Sequence, residues 1–188
     1  MTGQPRRRAD ALRNRDAIVS AARELVVARG PDIGMDDIAV AAGVAVGTIY
    51  RHFPTKTDLM EAIVTDLATE IAASLESATA RVCDGESTAL EEIIALLSRV
   101  VMDMRQERLL RYAVAGLAPD SLREVQRQAR HTVARWVDAA HRDKALYRDI
   151  TVEDVILLLA TAPDDARPEA EHRRWLTLAR RALAPESA

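Results

Sequence analysis

Thr48, Tyr50, Arg51, His52 and Lys56 lie within one short run of the chain, VGTIYRHFPTK from Val46 to Lys56. Hydroxyls, an imidazole and two cations at this density donate hydrogen bonds to phosphate oxygens and base edges. Thr48 and Tyr50 suit phosphate, and the Tyr50 ring suits a thymine methyl group. Arg51 can reach guanine, whose O6 and N7 match a guanidinium fork. Val46 offers only apolar contact to a base. Gly47 costs helix stability, which makes sense where another backbone must approach closely. The chemistry is binding of duplex DNA rather than bond-breaking.

Such residues act together only if the backbone presents them on one side. Met35 to Ala42 carries Ile38, Ala39 and Ala42 at helical spacing, so one face buries while Asp36 and Asp37 stay in water. Gly43 supplies the left-handed residue that commonly ends a helix. From Val46 to Phe53 the pattern resumes, with Ile49 and Phe53 one turn apart on the buried side. Pro54 ends this second helix, because proline disfavours the helical conformation of the residue before it. Two short helices about a tight turn make a helix-turn-helix, whose second helix enters the major groove.

The run from Ile18 to Leu59 resembles the N-terminal domain of the TetR family of one-component transcriptional regulators. The matching residues are Ile18, Ala21, Ala22, Leu25 and Gly30 on a first helix, followed by Ile38, Ala39, Ala42, Gly43, Val44, Gly47, Thr48, Ile49, Tyr50, His52, Phe53, Lys56 and Leu59. The match covers about a quarter of the chain. It implies an all-helical homodimer in which a variable C-terminal domain binds ligand. It further implies a repressor on a palindromic operator, released by a small-molecule effector. His52 resembles the family's phosphate-contacting histidine; the alternative for it is a cap or core contact beside Pro54. Gly34 and Ala45 stand where Thr or Ser caps are common in the family, and Asp36 where some members carry a base-reading arginine. These departures bear on which operator is read.

Charge is distributed in keeping with a DNA-reading head. Residues 1–56 carry nine basic and six acidic side chains, a net of +3, which leaves −6 for the remainder of a chain whose total is −3. Met1 to Ala9, with Arg6, Arg7 and Arg8, reads as a flexible basic arm able to enter a minor groove or to remain solvated. Arg6–Arg8, Arg51 and Lys56 should make binding steeply salt-dependent. No apolar run reaches the roughly 20 residues of a membrane span, and no export signal follows the arginines, so a cytoplasmic protein without membrane contact is expected. The single Cys83 can form no internal disulfide.

The expected architecture is all-α with about nine helices: a three-helix DNA-binding domain over residues 1–56 and a helical ligand-binding and dimerisation domain over 57–188. The first helix should span Asp10 to Arg29, closed by Gly30-Pro31. A fourth, capped by Thr55 with Asp58, should continue to about Ala80 and tie head to body. Ser87 is expected to cap the next, followed by a short segment Leu109–Leu117, a long helix opened by Pro119, and a helix capped by Thr151 with Asp154. The last should run from Glu169 to Leu183. Met102, Met104, Tyr112 and Trp136 combine apolar bulk with adaptable or polar ends and are candidates to line the effector site, with core packing as their alternative. The scarcity of obvious buried charges favours an apolar effector. Val155, Leu158 and Leu159 with Trp175, Leu178 and Ala182 form apolar faces on the last two helices, expected to build a four-helix dimer interface.

Catalysis is not expected. His52, His131, His141, His172 and Cys83 show no metal-ligand spacing, and neither a nucleophile motif nor a phosphate-cradling glycine loop occurs, so no cofactor or metal is anticipated. The stronger rival is a DNA-bound adaptor that recruits a partner protein, like the nucleoid-occlusion factors that share this fold. A ligand-sized cavity in the body favours the regulator, a solid core with an exposed apolar patch the adaptor.

Overall fold

The computed structural model describes residues 4–30, 32–102, 119–163 and 167–185, and every regular element among them is a helix. The elements are α1 (Gln4–Arg29), α2 (Met35–Ala42), α3 (Val46–His52), α4 (Lys56–Cys83), α5 (Ala89–Met102), α6 (Pro119–Arg142), α7 (Val152–Ala160) and α8 (Glu169–Leu183). The segment Leu109–Leu117, counted as a ninth helix from the sequence, lies outside the described residues.

Two expectations are corrected. The first helix begins at Gln4 rather than at Asp10. Pro5 falls in the first turn, where its missing N–H has no helical partner to lose, and the arginines and alanines that follow are good helix formers. The cap of α5 is Thr88 rather than Ser87. Thr88 Oγ1 accepts the Glu91 N–H at 3.2 Å while the Glu91 carboxylate accepts the Thr88 N–H at 3.0 Å. That reciprocal pair satisfies two end donors that would otherwise be orphaned. The same device opens α4 through Thr55 and Asp58, and α7 through Thr151 and Asp154.

The chain divides into two compact units, one taking in residues 1–67 and 108–122, the other residues 68–107 and 123–188. In the first, Ile18, Ala22 and Val26 of α1 are buried with Ile38, Ile49, Phe53, Leu59, Ile63 and Leu67. A fully buried aliphatic side chain contributes about 1.5–3 kcal/mol, so this core holds the short α2 and α3, which could not fold alone. In the second unit Leu75, Ile93, Leu97, Val133, Trp136, Val137, Val155, Ala179 and Leu183 make one contiguous core.

A nearly buried carboxylate is locked within that second unit. Glu92 receives Arg81 Nε at 2.9 Å on one oxygen and Arg81 Nη2 at 2.8 Å on the other, joining the last turn of α4 to the first of α5. The bidentate bond from Arg81 holds the Glu92 carboxyl below the ordinary glutamate range, against the opposing effect of burial. A depressed folded-state pKa contributes stability that is complete above the unfolded value, about 4.3, and is lost as pH falls through the folded value. Stability should therefore decline below about pH 4. Glu92→Gln should flatten that decline, which urea titrations at pH 7 and at lower pH would measure. An unchanged acid limb in the variant would remove Glu92 from the account.

Candidate nucleic-acid interface

The geometry of the reader starts at its turn. Gly43 adopts φ 66° and ψ 30°, the left-handed conformation. Its N–H donates to the Val40 carbonyl at 3.2 Å and the Val44 N–H donates to the Ala39 carbonyl at 3.0 Å. These two bonds close α2 and redirect the chain within three residues, a change of course that any side chain at Gly43 would strain. Neither Gly34 before α2 nor Ala45 before α3 makes a side-chain cap, in keeping with their residue types.

On α3 the periodicity divides the side chains cleanly. Ile49 is wholly buried and Phe53, just past the helix end, nearly so. Tyr50 is 49% exposed and Val46 38% exposed, and Arg51 is also exposed. Thr48 and His52 are half-buried, at the edges of this face. Gly47 has no heavy atom within 4 Å of the position a Cβ would occupy. Among the described residues none crowds that position, so it is open space. Lys56 is half-buried in the first turn of α4, beside the Thr55–Asp58 cap.

Arg15 was legible in the sequence only as one more positive charge. In the fold its guanidinium lies 5.8 Å from the centre of the Phe53 ring and its Nη2 lies 3.8 Å from Asp66 of α4. A cation over an aromatic face is held by the ring quadrupole, so Arg15 ties α1 to the end of the reader. The i+38 separation of Arg15 and Phe53 leaves no local signature for it. On α2, Asp36 and Asp37 are exposed as their spacing predicts, and Val40, which the pattern did not single out, is 82% exposed.

The body residues fall out unevenly. Trp136 is a core residue, 1% exposed, with its indole N–H donating to Thr79 Oγ1 at 3.2 Å. Met102 is exposed on a shallow depression with Ala95, Ser98 and Arg99. Met104 and Tyr112 lie outside the described residues. A deeper groove of about 520 Å³ opens between α4 and α6. On the last two helices Val155 is corrected from an interface residue to a core residue, fully buried in its own unit. Leu158, Leu159 and Trp175 are half-buried and pack against the same core. Leu157, Leu178 and Ala182 remain exposed. Helical periodicity could not tell which side of an all-apolar segment faces its own core.

Residues 18–63 match the family model described as bacterial regulatory proteins, tetR family. That stretch contains all of α2 and α3 and the start of α4, with the buried and exposed sets just described. Residues 18–63 are thus a TetR-family N-terminal domain. An HTH-type transcriptional regulator of Staphylococcus aureus, SAR0097, is 44% identical over 64 residues, 32% of this chain and 33% of that protein. The HTH-type transcriptional repressor LfrR of Mycolicibacterium smegmatis is 47% identical over 51 residues, 27% of this chain and 26% of that one. These matches span about a third or less of the two relatives' own length. Over nearly full length the fold is similar to the crystal structure of a TetR transcription regulatory protein from Mycobacterium vanbaalenii. That likeness has a TM-score of 0.72 and 26% identity, and covers 95% of this chain and 99% of the other. The fold likeness thus extends over 95% of the chain, whereas the family model matches residues 18–63 alone.

Proposed function

We propose that this chain is a sequence-specific transcriptional repressor of the TetR family whose head reads a palindromic operator and whose body releases it on binding a small-molecule effector. The exposed row on α3 carries this reading: Val46, Tyr50 and Arg51 point out while Ile49 and Phe53 anchor the helix from behind. Val46, Tyr50 and Arg51 meet base edges, Thr48, His52 and Lys56 meet phosphates, and Gly47 leaves room for the sugar-phosphate chain. The head is residues 1–56 and the body 57–188, with α4 running unbroken from Lys56 through Cys83. The reader's place is the cytoplasm, where the chromosome is.

Fluorescence anisotropy with DNA flanking the coding region tests the reading. A palindrome there should bind about a thousandfold more tightly than a scrambled duplex, with affinity falling steeply as salt rises. Equal affinity for both duplexes would refute sequence-specific reading.

A palindrome demands a two-fold protein, with heads meeting major grooves roughly 34–36 Å apart. Leu178 and Ala182 on α8, with Leu157 on α7, are exposed apolar side chains of the last two helices, and Trp175, Leu158 and Leu159 on the same helices are half-buried. The proposed interface is this surface against its own copy, and Val155 supports it from within the core. Leu157→Glu combined with Leu178→Glu should give monomers in sedimentation without unfolding, since neither side chain holds the monomer core. A dimer persisting at micromolar concentration would place the interface elsewhere.

Effector and operator must oppose each other equally. If the effector weakens DNA binding by some factor, operator DNA weakens effector binding by the same factor. The groove on the body supports this regulatory reading over a bare adaptor.

A further inference from the structure

The groove between α4 and α6 differs in character from the apolar effector site expected of the sequence. Its floor is Ala72 and Leu75 of α4, and its rim carries Arg127, His131 and Arg135 of α6 facing Glu76 of α4. The three basic residues recur at intervals of four, so one stripe of α6 lines one side of the groove. The volume, about 520 Å³, is within the range of small-molecule sites.

The cations are not equivalent. Arg127 pairs with Glu124, and the same glutamate accepts Gln128 Nε2 at 3.0 Å. Arg135 forms no ion pair among the described residues, although Arg130 next along the helix is paired with Glu153. Arg135 therefore offers its guanidinium fork to a ligand, close to the apolar floor. Glu76 opposes any second negative charge.

We propose that this groove binds a small monoanionic organic acid, its carboxylate on Arg135 and its apolar body against Ala72 and Leu75. Binding at the groove stands on its lining alone; its regulatory meaning rests on the effector reading above. A guanidinium is the side chain best matched to a planar carboxylate, because two parallel N–H donors meet two oxygens. A neutral molecule of the same shape forgoes that bond. A phosphate dianion meets the Glu76 carboxylate.

The probe is hexanoate, titrated into the isotopically labelled full chain and followed by amide NMR shifts, with 1-hexanol and inorganic phosphate as comparisons. Hexanoate should saturate, with shifts concentrated at residues 72–76 and 127–135, while the other two do not. Arg135→Gln, at an exposed position, should fold normally and weaken hexanoate about tenfold or more. No saturation by about 20 mM, well above the millimolar affinity expected of so small a probe, would overturn the assignment. Equal affinity for 1-hexanol, or an Arg135→Gln variant that binds hexanoate as the parent does, would overturn it too. Operator binding measured separately distinguishes the two readings. A chain that binds hexanoate at this groove but no operator would refute the repressor and leave the groove's ligand class standing.

Discussion

Tyr50→Ala is expected to weaken operator binding about tenfold to a hundredfold while leaving thermal unfolding within a degree or two of the parent. Tyr50 is half exposed on the outward side of α3, so truncating it removes little that holds the head together. Its hydroxyl and ring are among the few large groups on that face able to meet phosphate and thymine at once. Anisotropy on operator and scrambled duplexes, with circular dichroism melting of the same samples, separates the two effects. The loss should fall mainly on the operator, because nonspecific affinity comes from the cationic side chains. Tyr50→Phe should recover the part due to the ring. Unchanged operator affinity in Tyr50→Ala would mean that α3 is turned otherwise on the DNA.

Trp136→Ala should cost the body about 3–5 kcal/mol, the range for truncating a buried large aromatic. The indole is 1% exposed in the core that also holds Ile93, Leu97, Val133 and Val155. Its N–H donates to Thr79 Oγ1 at 3.2 Å, and that hydroxyl in turn donates to the Leu75 carbonyl at 2.9 Å. Thr79 therefore stays partnered after truncation, and the loss comes mostly from the cavity. Trp136→Phe keeps much of the bulk, gives up the indole hydrogen bond, and should cost about 1–2 kcal/mol. Urea unfolding followed by circular dichroism gives both values. A cost below about 1 kcal/mol for Trp136→Ala would show a site that collapses without penalty, contrary to the density of a packed interior.

Helix boundaries set by local chemistry were legible without the fold. Gly43 had to end α2 because its left-handed backbone suits only glycine well. Thr55 with Asp58 and Thr151 with Asp154 had to begin helices because each pair closes its own reciprocal bonds. Ser87 and Thr88 are both good caps, and only the Glu91 register selects Thr88. The start of α1 turns on a related conflict. Charge density argued for a loose arm, while Pro5 and the helix-forming residues after it extend the helix to Gln4.

The site divides along the same line. Sequence alone placed Ile49 and Phe53 behind α3 and Tyr50 in front, because 3.6 residues per turn fixes which side chains share a face of a single helix. It could not place residues whose surroundings come from distant parts of the chain. Val155 lay in a segment apolar on every side, and only packing against α5 and the rest of the core chose which side turned inward. Arg15 became a tie to Phe53, and Trp136 a core residue bonded to Thr79, through contacts across 38 and 57 positions. The cationic rim on α6 was present in the sequence as a four-residue repeat. That it faces Ala72 and Leu75 across a groove depended on how α4 and α6 lie together. Local periodicity and capping determined the helices and the reading face; the burial of each apolar surface, and the character of the groove, required the tertiary structure, because both depend on what the chain brings against each helix from far away.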